Sequence, residues 1–167
     1  MQNTKNNLAT QCVETSQEQL QIKLSKLTRE LSERFGYQDL EPIIQNVLIG
    51  WLVSDYQDYI PKNERVETFF FFTGVLKHFQ KTDAIFNGNK TGLFPLEIYD
   101  ENFSFDFKRS KKYFRKTMAD FLQSEFSDDT NTRSNAVFYL GVMQKYIKKI
   151  QYLKLQERNK NQLQLVV

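Results

Sequence analysis

A chain of 167 residues fits one domain, and its 40% hydrophobic content, with fifteen Phe and eight Tyr, supplies a core without disulfides or metal. Six Gly and three Pro are too few to punctuate a sandwich or barrel, so the composition predicts an all-α fold of about five helices in one bundle-like domain. The net charge of +3 hides two unlike halves: residues 1–107 hold 10 basic and 15 acidic side chains, and residues 108–167 hold 13 and 5.

Residues 1–14 are polar and read as a disordered tail, leaving a single helical domain over 15–158. The single cysteine, Cys12, lies in that tail with no CxxC partner, and reads as an incidental exposed thiol. From about Thr15 to Phe35, Leu20, Leu24, Leu27, Leu31 and Phe35 fall within an arc of about 80° at helical periodicity. This stripe can close on a neighbouring helix or on a second copy of the chain, so it is also a candidate homodimer or protein interface. Gly36 stands where a C′ glycine would end the helix.

A second helix is expected from about Asp39 to Tyr59, with Pro42 in its first turn and Pro61 beyond its end. Its apolar residues run nearly all round, which marks a central, largely buried helix. Asn63 can cap a third helix from Glu64 to about Gln80. Phe69, Phe70, Phe71 and Phe72 follow one another there, and four consecutive residues cannot face one core. The periodicity groups Phe69 and Phe72 with Leu76 and Phe79. Phe70 and Phe71 then need cover from another element or from a partner, and join the candidate protein interface.

Residues 82–107 are the least regular part. Asn87-Gly88 signals a turn, and the alternation of Phe103, Phe105 and Phe107 suits a short strand as well as Pro95 suits a helical turn. A fourth helix is expected from Ser110 to Phe126 and a fifth from Arg133 to Arg158, with 159–167 a frayed tail.

Chemistry is scarce. His78 is the only histidine, without the neighbours of a triad or zincin, and reads as a solvated helix residue. One His and one Cys exclude most imidazole and thiolate metal sites. Gly88-Asn89-Lys90-Thr91 lacks the spacing of a phosphate loop. Asp55, Asp58, Asp100, Glu101, Asp128 and Asp129 leave a carboxylate-only magnesium site open, although adjacent acids before a helix serve as caps and solvating charge. No catalytic residue, cofactor or small-molecule substrate is indicated, and the expectation is a non-enzyme.

The basic segment is the most distinctive feature. Lys108, Arg109, Lys111, Lys112, Arg115 and Lys116 place six cations in nine residues, interleaved with Tyr113 and Phe114. Cations at a helix start oppose the macrodipole, which favours an anion nearby. That anion can be nucleic-acid phosphate, an acidic protein or the acidic first half of the same chain, the alternative being a plain solvated face. Arg133, Lys145, Lys148 and Lys149 extend the candidate phosphate-binding set. No apolar stretch reaches the length of a membrane span and no secretory leader is visible, so a cytoplasmic location is expected.

Residues 66–150 resemble the C-terminal part of the RteC family of regulatory proteins from Bacteroidetes conjugative elements. The resemblance rests on Phe69-Phe70-Phe71-Phe72, Ala84-Ile85-Phe86-Asn87-Gly88-Asn89, Phe103 and Tyr113-Phe114-Arg115-Lys116-Thr117 in order. It implies a DNA-binding regulator with a helix-turn-helix-like core, whose fourth and fifth helices are candidates for reading DNA. The alternative is a helical protein-interaction module, an adaptor, immunity or assembly component.

Overall fold

The computed structural model describes residues 2–54, 61–88, 92–101 and 107–164. Six α-helices follow in order: α1 (Gln2–Ser32), α2 (Tyr37–Leu52), α3 (Lys62–Gly88), α4 (Glu97–Glu101), α5 (Phe107–Leu122) and α6 (Thr130–Gln164), with a 3₁₀ turn (Glu125–Ser127) between the last two. They form an all-α bundle, and no strand occurs among the described residues.

The expected stripe on α1 closes within the molecule. Leu24 is buried, and Leu20, Leu27, Leu31 and Phe35 pack against the core. The main partner of α1 is α6, which presents Leu140, Met143, Ile147 and Ile150 at helical spacing. Polar bonds join the same two helices: the Ser16 hydroxyl donates to Glu157 Oε2 (2.7 Å) and Lys23 Nζ to Glu157 Oε1 (3.1 Å). Helix α1 already begins at Gln2 and α6 runs on to Gln164, where tails are expected. Neither segment holds a Gly or Pro to stop it. The side chain of Cys12 lies outside the described residues.

Gly36 does not end α1 in a left-handed conformation. Its φ of −69° and ψ of 154° make it the extended residue that opens α2. Helix α2 starts two residues before the expected point and ends at Leu52, and residues 55–60 lie outside the described set. It is central, touching α3, α5, α6 and the 3₁₀ turn. Leu40, Ile44, Val47, Leu48 and Trp51 are buried, but Ile49, Leu52 and Val53 remain on its solvent side, so burial is not complete around it.

Helix α3 continues through Asn87-Gly88 rather than stopping near Gln80. Thr82 is buried and Ile85 and Phe86 pack against the core, so tertiary contact overrides the local turn preference. After it, residues 92–96 are irregular and fastened to α1. The Phe94 N–H donates to Ser25 Oγ (2.9 Å), Gln21 donates to the Phe94 carbonyl (3.1 Å), and Arg29 donates to the Gly92 carbonyl (2.7 Å). Helix α4 then follows Pro95, settling the strand-or-turn alternative for residues 97–101 in favour of a helical turn. Phe103 and Phe105 lie outside the described residues.

The phenylalanine run resolves differently from the expected grouping. Phe71 and Phe72 are buried, while Phe69 and Phe70 are exposed. Tyr113 and Phe114 of α5 cover Phe71, with ring centroids 5.3 and 5.4 Å away. Helix α5 starts at Phe107 and stops at Leu122, earlier at both ends than expected. Before α6, Asp129 Oδ2 accepts the Thr132 N–H (2.7 Å), an N-cap that starts the helix at Thr130 rather than Arg133.

His78 is a core residue, not a solvated one: it has no exposed surface. Nδ1 lies 3.3 Å from the Ile98 carbonyl and Nε2 2.9 Å from the Tyr146 hydroxyl. Burial in the apolar interior pushes its pKa down to about 3. Thr28 Oγ1 extends the network to Tyr146 (2.8 Å) and Tyr99 (2.7 Å), so α1, α3, α4 and α6 meet at one buried polar chain.

Candidate nucleic-acid interface

The chemistry of α5 follows from its two faces. Tyr113, Phe114, Thr117 and Phe121 are buried on one side. Lys108, Lys111, Lys112, Arg115 and Lys116 fall on the other, within an arc of about 140° at 100° per residue. The five line one shallow, open concavity. Anchoring by the aromatic face fixes the helix, so the cations project from a rigid support rather than from a loop.

Two of the five are partnered by the acidic half of the chain. Glu64, in the first turn of α3, places Oε1 2.9 Å from Lys112 Nζ and Oε2 3.4 Å from Lys116 Nζ. The Lys112 hydrogen bond holds the Glu64 carboxyl below the usual range, against a smaller opposing effect of burial. One turn on, Glu67 Oε2 accepts the Tyr113 hydroxyl (2.6 Å). Burial and this bond push Tyr113 up to about 12, so the phenol stays a donor. Lys108, Lys111 and Arg115 make no ion pair among the described residues.

The sequence-level set of ten cations is thus divided. Arg109 is exposed on α5 but does not line the concavity. Arg133 sits beyond the opposite end of α5, donating to the Asp128 carbonyl (3.4 Å). Lys145, Lys148 and Lys149 are exposed along α6, away from its buried Tyr146, Ile147 and Ile150. Glu64 is the residue that sequence reasoning missed. Its signal was the pair of acids at 64 and 67 on one helix face, matched in charge to the cationic helix.

The protein-interface set contracts more sharply. Leu24 and Phe71 are buried in the core, and so are unavailable to a partner. Leu20, Leu27 and Leu31 pack against that core. Phe70 alone of the six is openly exposed, at 63%, with Phe69 beside it at a centroid distance of 6.0 Å.

The acids considered for a metal site have other engagements. Asp100 pairs with Lys154, and Asp129 caps α6. Asp55 and Asp58 lie outside the described residues. Among the described residues, no three His, Cys, Asp or Glu side chains gather where a cation could be held. No described helix is long and apolar enough to cross a membrane. No protein-family model matches the chain, and neither the curated proteins nor the solved structures contain a match.

Proposed function

We propose that this chain is a non-catalytic DNA-binding regulatory protein of the cytoplasm, whose α5 cations contact the phosphate backbone. The observation that carries the reading is the grouping of Lys108, Lys111, Lys112, Arg115 and Lys116 around one open concavity. The RteC resemblance supports it, and extends it to transcription regulation within a mobile element. Contacts of this kind position a protein on a duplex and carry no sequence information themselves. Arg133, Lys145, Lys148 and Lys149 would add phosphate contacts outside the concavity.

Fluorescence anisotropy with short duplexes tests the proposal. Replacing Lys108 and Arg115 together with Ala should weaken binding equally across duplex sequences. The slope of log affinity against log salt should fall by about 0.9 for each phosphate that is no longer neutralised. Absence of binding at low salt, or a double variant that binds as well as the parent, overturns it.

The second reading, a protein-docking module, draws on the exposed Val66, Phe69 and Phe70 at i, i+3 and i+4 of α3. It predicts that Phe70→Ser abolishes capture of a partner while leaving duplex affinity unchanged.

A further inference from the structure

We infer that Glu64 is a built-in competitor for the anion site, holding Lys112 and Lys116 in reserve. The inference rests on the polyanion-binding reading of α5 and adds a control to it. Lys112 and Lys116 are one helical turn apart, so their ammonium groups share one edge of the concavity. The Glu64 carboxylate spans them, giving one oxygen to each, at 2.9 and 3.4 Å. Two non-bridging phosphate oxygens would make the same pair of contacts.

The backbone of Glu64 is held in place. It lies in the first turn of α3, and its carbonyl accepts the Thr68 hydroxyl (2.8 Å). Its side chain keeps 28% exposure, which leaves it room to rotate toward solvent. An arriving polyanion therefore meets three cations without an ion pair among the described residues, and two that already hold a carboxylate. Either Glu64 swings away, surrendering both pairs, or it stays and repels the incoming phosphate. Both routes lower affinity. They also lower salt dependence: a phosphate that Lys112 or Lys116 does not neutralise keeps its condensed counterions, and a Glu64 that swings away takes up a cation of its own.

The test compares the parent, Glu64→Gln and Glu33→Gln, each titrated with a fluorescein-labelled duplex over a range of salt concentrations. Glu33 is exposed near the end of α1 and supplies the same change in net charge elsewhere. Glu64→Gln should bind about two- to fivefold tighter at low salt, the size of effect expected for exposed ion pairs. Its salt slope should steepen by about 0.9 for each lysine released. Glu33→Gln should shift affinity less and leave the slope unchanged. Equal behaviour of the two variants overturns the inference. If the Lys108/Arg115 double variant then still weakens binding, the polyanion reading survives alone. Failure of the parent and Glu64→Gln to bind at low salt removes both. Glu64→Ala, checked for folding by Trp51 fluorescence, should reproduce the Gln result; parent-like binding by a folded Ala variant also counts against the inference.

Discussion

His78 Nε2 on α3 and the Tyr146 hydroxyl on α6 lie 2.9 Å apart, and this contact sets the direction of a proton chain through the core. The Ile98 carbonyl can only accept, so His78 Nδ1 carries the hydrogen and Nε2 accepts from Tyr146. The Tyr146 oxygen then accepts from Thr28, and the Thr28 oxygen from Tyr99. Each hydroxyl donates once toward the imidazole.

Acid should loosen this core before the carboxylates titrate. The largest cause of the low His78 pKa is desolvation; the Ile98 bond opposes it, and the Lys81 charge adds to it. The folded value of about 3 lies below the ordinary 6.5, so the unfolded chain takes up a proton that the folded chain refuses. The histidine contribution is therefore favourable above about pH 6.5 and is lost progressively as pH falls toward 3. The loss is up to about 1.4 kcal/mol per pH unit. Urea unfolding at roughly pH 7 and roughly pH 5.5, followed by Trp51 fluorescence, should give a lower midpoint in acid. His78→Gln should flatten that difference; an unchanged parental midpoint would contradict a neutral buried imidazole.

Removing the middle of the chain should cost more than removing its end. Tyr146→Phe removes both the donor to His78 Nε2 and the acceptor of Thr28, at about 1–3 kcal/mol for each buried bond lost. Tyr99→Phe removes a donor to Thr28 and the hydroxyl bonded by Ser25, but Thr28 keeps its bond to Tyr146 and Ser25 keeps the Phe94 N–H. A loss of about 1 kcal/mol is expected there. Denaturant titration of the two variants should rank Tyr146→Phe as the less stable.

Two helical glycines should respond to alanine in opposite directions. A Cβ at Gly50 would stand 2.7 Å from Phe121 Cδ2 and 2.8 Å from Ser124 Oγ, so α2 and α5 would have to separate or repack. Overpacking of about 1–3 kcal/mol outweighs the roughly 1 kcal/mol gain in helix propensity. Gly141 has nothing within 4 Å of the same position. Gly141→Ala should raise the melting temperature, where Gly50→Ala should lower it.

Neighbouring phenylalanines should differ as much. Phe71→Ala empties a buried site beneath Tyr113 and Phe114, at about 3–5 kcal/mol. Phe70→Ala removes an exposed ring and should change stability by less than about 1 kcal/mol. Comparable losses in a denaturant series would invalidate the assignment of the two faces.

What the sequence made legible was what a single helix decides for itself. The Leu20–Phe35 stripe and the division of α5 into aromatic and cationic faces both follow from 100° periodicity. What it hid depends on elements distant along the chain. Which two of Phe69–Phe72 are covered is decided by Tyr113 and Phe114, some forty residues later. His78 reads as solvated until Tyr146 is seen against it, and Glu64 reads as a helix-start acid until Lys112 and Lys116 arrive. Asn87-Gly88 misleads because packing of Ile85 and Phe86 outweighs a local preference.

The Ser16–Glu157 bond fastens residues 141 positions apart. On the ribosome, α1 emerges long before the helix that covers its leucine stripe. At roughly 5–20 residues per second, Leu24 waits on the order of ten seconds or more for that cover. During synthesis the nascent chain displays an apolar ridge that the finished molecule never shows, and it is in that interval that a chaperone would have something to hold.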